Sequence, residues 1–195
     1  GGWERHVGIV YHVDVANAFL LVIVSAISSV VFVYAKSSVR DEIPLQKHHY
    51  FYAALLLCFT GLMGMAITGD AFNIFVFLEI SSLSGYALIA MGRNPRALTA
   101  AYRYLILGTM GGTFILLGIG FLYMMTGTLN IAELSELIPK QSNTSVVRTA
   151  FAFITVGASI KLALFPLHMW LPNCYTYAPS VVSAFLSATA TKVSF

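Results

Sequence analysis

Charge is what this chain has least of. Asp, Glu, Lys and Arg make up only 10% of its 195 residues, against about 25% in an average soluble domain. Too few charges are present to cover a water-facing surface, and 58% hydrophobic residues with a mean hydropathy of +0.80 identify an all-α integral membrane protein. Basic residues exceed acidic ones by only three and form no tract, so a nucleic-acid partner is excluded. Cysteine is equally scarce. Cys58 and Cys174 lie far apart, without a CxxC or a His or Cys partner at ligand spacing, which excludes a zinc site or a disulfide framework and leaves both as packing residues. No nucleotide, flavin, quinone or metal motif is found, so no cofactor is expected. The chain also lacks an initiator Met, a signal pattern and a polar tail after Phe195, and is expected to be a fragment of a larger protein.

What the chain has is apolar length. A span needs about 20 mostly apolar residues, because about 30 Å of hydrocarbon is crossed at 1.5 Å per residue. Six stretches qualify or nearly so, at about 15–34, 50–68, 71–91, 102–126, 149–165 and 180–195, in a single membrane domain. Pro166, Pro172 and Pro179 follow the short fifth stretch and predict broken or re-entrant backbone there. Six basic residues (Lys36, Arg40, Lys47, Arg93, Arg96, Arg103) fall on one side of the spans and three (Arg5, Lys140, Arg148) on the other. The excess predicts a cytoplasmic first connection and an outside N-terminus in a multi-pass protein of the inner (plasma) membrane. Leu129, Ile131, Leu134, Leu137 and Ile138 alternate with Glu133 and Glu136 in the long outer connection, which predicts a short interfacial helix. Asn143 begins a formal glycosylation sequon of little weight. Gly108 and Gly112 form a GxxxG that reads as helix packing, as do Gly61 and Gly64.

Three ionisable residues stand out in the middle third of the membrane: Glu79, Lys161 and Lys192. Each costs about 2.5–3.5 kcal/mol to insert, so each calls for a reason. Counting residues puts Glu79 about 12 Å and Lys161 about 18 Å from the outer face, within reach of a long lysine side chain if the helices are neighbours. A Glu–Lys pair could merely join helices. A third charge without an evident counter-ion, with Ser159, Thr189 and Thr191 nearby, fits a proton path better. His168 in the broken segment reads as a relay imidazole or as a structural histidine. Asn73, Ser81, Ser82 and Ser84 could line a hydrated face beside Glu79, while Asp70 and Arg103 are expected to reach the headgroups.

Three motifs, Gly69-Asp70-Ala71-Phe72-Asn73-Ile74-Phe75-Val76-Phe77-Leu78-Glu79-Ile80-Ser81-Ser82, the run from Gly157 through Lys161 to His168-Met169-Trp170-Leu171-Pro172, and Ala178-Pro179 followed by Lys192, resemble the antiporter-like membrane subunits. These belong to complex I, membrane-bound hydrogenases and Mrp-type sodium/proton antiporters. Gly69–Tyr86 and Ala101–Gly108 look closest to the Mrp D subunit. The resemblance implies about fourteen helices with two inverted repeats, each holding a broken helix, of which this chain would carry most of the first. It implies that Glu79 modulates Lys161, that Lys192 follows on the relay, and that His168 is the His of a His-x-Trp-Leu-Pro motif. The expected partners are other membrane subunits, the lipid bilayer, protons and optionally sodium. Such a subunit has no redox site of its own, although its parent complex can be an NADH:quinone oxidoreductase. Two other classes compete with this reading. An intramembrane Ser84/His168 enzyme lacks the first glycine of a GxSG motif, and a non-conducting scaffold is separated from a conductor only by flux.

Overall fold

A computed structural model describes residues 8–141 and 144–193; the side chains of Gln141, Thr191 and Lys192 lie outside the description, as do Arg5 and Asn143. The described residues form helices α1 (Val15–Glu42), α2 (His48–Ile67), α3 (Ala71–Ala90), α4 (Arg96–Thr126), α5 (Ile131–Gln141), α6 (Ser145–Lys161), α7 (Leu171–Tyr177), α8 (Ser180–Ala188) and α9 (Ala190–Val193). Four of the described helices, α1, α2 with the short 3-10 turn before it, α3 and α4, are long and apolar enough to cross a membrane.

Several boundaries differ from the sequence expectation, for identifiable reasons. The first helix continues from Tyr34 to Glu42, and the fourth begins at Arg96 instead of Tyr102. Hydropathy sees only the apolar part of a helix, whereas backbone hydrogen bonding carries on through polar turns. The fifth, expected over 149–165, runs from Ser145 to Lys161. The Thr144 side chain caps its start by accepting from the Val147 N–H at 3.4 Å. Its end comes before Pro166, because the residue ahead of a proline is driven out of the α region, and Ala163 turns the chain with a left-handed φ of 54°. The sixth stretch is kinked at Thr189, whose hydroxyl donates to the Phe185 carbonyl at 2.6 Å and whose backbone leaves helical geometry.

The end carrying the α2–α3 and α4–α5 connections is tied by a backbone clasp. His12 N donates to Ile67 O at 2.9 Å and Gly69 N to Val10 O at 2.7 Å, while Ala71 N donates to Leu129 O at 2.8 Å and Ile131 N to Gly69 O at 3.0 Å. Residues 67–71 are thus held from both sides, which fixes the start of α3. Asp70 caps α3 by accepting from Asn73 N at 2.8 Å, and the Asn73 amide donates to Thr68 Oγ1 at 3.0 Å. Asn73 is therefore a buried structural residue and not part of a wet face.

Helices α4 and α6 meet almost backbone to backbone. A Cβ on Gly157 would lie 2.5 Å from the Gly111 carbonyl oxygen, and one on Gly118 2.7 Å from the Ala150 carbonyl. Only glycine permits that approach. The largest buried cluster joins α1, α2, α3, α4, α7 and α8 through Val31, Leu55, Leu88, Ala100, Cys174 and Phe185.

Candidate functional site

Glu79 lies eight residues into α3 and Lys161 is the last residue of α6. Their side chains meet: Lys161 Nζ donates to Glu79 Oε1 at 3.1 Å and to Ser82 Oγ at 2.8 Å. Glu79 and Ser82 are three residues apart, hence on one face of α3, so both reach the same ammonium. The lysine side chain is 4% exposed and the carboxylate 20%, so the charge is compensated almost entirely by protein. Lys161 also stands at the C-terminus of α6, where the helix dipole favours a cation, although the Ala158, Ser159 and Ile160 carbonyls each accept a backbone N–H from the turn that follows.

Two features of α4 and the broken segment make this contact possible. A Cβ on Gly112 would collide with Glu79 Oε1, and one on Gly108 with the Tyr86 hydroxyl. The GxxxG that reads in sequence as a helix-packing motif therefore leaves room for two polar side chains of α3, while the neighbouring Gly111 carries the close approach to α6. After α6, Trp170 Nε1 donates to the Ile160 carbonyl at 3.0 Å, and its ring stacks on Tyr104 with centroids 4.0 Å apart. That bond anchors the end of α6 one residue before Lys161. We expect Gly112→Ala to displace the Glu79 carboxylate and to lower the yield of assembled complex. The yield of assembled complex read by gel checks this, and an undiminished yield would rule the displacement out.

A small enclosed cavity of about 20 Å³ adjoins the pair, lined by Lys161, Ser81, Ser82, Tyr104, Cys174 and Ala190 among others. That is room for about one water. Its lining includes both Lys161 and Ala190, the first residue of α9, which carries Lys192 two residues further on. Lys192 is thereby placed on α9, with its side chain outside the description. His168 is half-buried against the Phe165 ring, its Nδ1 without a hydrogen-bond partner, and makes no hydrogen bond to Glu79 or Lys161 among the described residues. Pro166 stands in the turn after α6, Pro172 is the second residue of α7, and Pro179 caps α8. Ser84 bonds back to the Ile80 carbonyl, and no hydrogen bond joins it to His168 among the described residues. Ser82, expected beside Glu79 on a hydrated face, instead accepts from the Lys161 ammonium, and Trp170 is the contributor to which the sequence assigns no role of its own.

Among the described residues no group of three or more His, Cys, Asp or Glu side chains could hold a metal ion. A bundle of apolar helices, with an ion pair buried where one helix breaks, defines an antiporter-like membrane subunit. Residues 68–195 match the transmembrane family described as NADH:quinone oxidoreductase/Mrp antiporter, and the chain belongs to that family. The N subunit of an NADH-quinone oxidoreductase from Desulforudis audaxviator is 48% identical over 193 residues, covering 99% of this chain and 38% of that protein. The D subunit of a Na(+)/H(+) antiporter from Bacillus subtilis is 31% identical with the same coverage. Among solved structures, a chain of the membrane-bound sulfane sulfur reductase, an archaeal respiratory membrane complex, superposes with a TM-score of 0.91 at 34% identity, covering 100% of this chain and 39% of that one. The chain thus spans less than two-fifths of the length of these relatives.

Proposed function

We propose that this chain is part of a proton-translocating membrane subunit of a multisubunit cation/proton antiporter, in which Lys161 carries the proton, Glu79 governs its charge and Lys192 is the next acceptor. The observation that carries this reading is the contact of a nearly sealed ammonium with a single carboxylate, beside a one-water cavity whose lining includes the first residue of α9. While Glu79 is ionised and in contact, it holds Lys161 charged. When the carboxylate swings away or is neutralised, the buried charge loses its compensation and the proton leaves toward Lys192 through water. Sodium is the candidate exchanged cation. The partners are other membrane subunits, and His168 is a relay candidate on the far side of the break.

A second reading is supported by the 48% identity to the N subunit of an NADH-quinone oxidoreductase, against 31% to the antiporter protein. There the same relay would be driven by redox chemistry in other subunits. Proton flux through vesicles holding the complex with Lys161→Ala separates conduction from a scaffold role: loss supports conduction, and unchanged flux supports a scaffold. Dependence of that flux on sodium or on NADH oxidation separates the two conducting readings.

The excess of basic residues on the α1–α2 and α3–α4 connections supports an orientation with those connections in the cytoplasm of a plasma-membrane protein. Ser38 is buried, but Leu45 is 81% exposed and Glu136 is exposed at the opposite end. Cysteines at these two positions should be labelled from opposite sides, Leu45→Cys only from the cytoplasm. Labelling of both from one side would refute the topology.

A further inference from the structure

At the basic end of the bundle, α4 and α7 enclose a cleft of about 290 Å³ lined by Arg96, Thr99, Ala100, Arg103, Asn173 and Tyr177. Residues 96, 99, 100 and 103 fall at helical spacing i, i+3, i+4, i+7, so they form one stripe of α4; Asn173 and Tyr177, four apart, form the facing stripe of α7. Two guanidinium groups converge here and no carboxylate lines the cleft. Arg96 Nη1 donates to the Tyr177 hydroxyl at 3.2 Å, leaving that hydroxyl's own proton free to be donated. Thr99, Arg103 and the half-buried Asn173 have no side-chain hydrogen-bond partner among the described residues. The cleft is therefore a concentration of unused donors with a net charge of two.

Depth decides what such donors can meet. α4 has 31 residues, or roughly 46 Å, so it exceeds a hydrocarbon core of about 30 Å by several ångströms at each end. Arg103 lies seven residues beyond Arg96, roughly 10 Å along the helix. The stripe consequently runs from outside the membrane to the hydrocarbon boundary, across the layer where lipid phosphates sit. Exposed Leu98, Tyr102 and Ile106 on the same turns of α4 offer apolar surface alongside it. Arginine suits the role, since its planar fork binds phosphate oxygens in pairs.

We propose that the α4–α7 cleft binds the phosphate of an anionic phospholipid, with Arg96 and Arg103 on the phosphate oxygens and Thr99, Asn173 and Tyr177 completing the donors. Occupation would tie α7, part of the broken segment, to the long helix α4 through the lipid. The binding is independent of the transport reading.

The test uses the purified complex containing the full-length chain, reconstituted in phosphatidylcholine nanodiscs with a photoactivatable phosphatidylglycerol or a photoactivatable phosphatidylcholine. The phosphatidylglycerol probe should label peptides around 96–107 and 166–177 several-fold more strongly. Unlabelled phosphatidylglycerol should displace it and millimolar inorganic phosphate should not. Each arginine is worth about fivefold in anionic-lipid binding, so Arg96→Gln with Arg103→Gln should cut labelling by about 25-fold, while the double Lys variant, which keeps the charge and loses the paired fork, should label between the two. Equal labelling by both probes, or labelling unchanged in the Gln variant, would overturn the proposal. Displacement by inorganic phosphate would overturn it in favour of a free-anion site. If the Gln variant does not assemble, the comparison of the two probes on the unaltered complex decides.

Discussion

Complexes carrying Glu79→Gln together with Lys161→Met are expected to assemble better than complexes with Lys161→Met alone, yet to translocate no protons. Removing only the lysine leaves the Glu79 side chain, 20% exposed and close against Gly112, without the cation that it meets here. Stranding one partner of a buried pair typically costs about 3–5 kcal/mol, whereas replacing both is often close to neutral. Glu79→Gln alone is milder for assembly, because the amide can still accept from Nζ and Ser82 Oγ remains at 2.8 Å. The double-mutant cycle in complex yield should therefore be non-additive by about 1–3 kcal/mol. Flux should fall to background in every variant that lacks the lysine, since methionine relieves the charge imbalance without supplying a titratable group. Yields that simply add would mean the two side chains do not support each other in the assembled complex. Proton flux in the double variant would remove Lys161 from the path.

Lys192 is expected to give the second large effect. It follows the kink at Thr189, and its helix α9 starts at the residue that closes the cavity beside Lys161. If it receives the proton, Lys192→Ala should reduce flux at least tenfold with complex yield within twofold of normal, since a residue used for transport and not for packing can be truncated at little structural cost. Lys192→Arg should fail as well, because a guanidinium keeps its proton at any accessible pH. The arginine variant separates the explanations: a purely structural cation would be replaced by arginine with flux retained. Quenching of a pH-sensitive dye in vesicles, with yield read by gel, measures both quantities. Normal flux in the alanine variant would take Lys192 out of the relay.

The class, the order of the helices and the three intramembrane charges are legible in the amino-acid sequence. Each rests on a local property: apolar runs long enough to span, and ionisable residues whose insertion cost marks them wherever they fold. Residue counting even brings Glu79 and Lys161 to within a lysine's reach in depth. Which helices are neighbours is another matter, because depth along the membrane says nothing about position around the bundle. Only the packing of α3, α4 and α6 establishes that the pair meets. It does so through Gly112, which reads in sequence as a helix-contact glycine and which in fact makes space for the Glu79 carboxylate. Asn73 reads as part of a wet face and is bonded to Thr68 instead, since the clasp at residues 67–71 is built from backbone pairs distant in sequence. The ends of α1 and α4 lie beyond their apolar stretches for a related reason. Hydropathy records contact with lipid, whereas the length of a helix is set by caps and by partners such as Ser180, whose N–H donates to Glu42 at 2.9 Å across the bundle. Composition and spacing fix what each segment can bear alone, and the packed bundle fixes whatever requires two distant segments to be brought together.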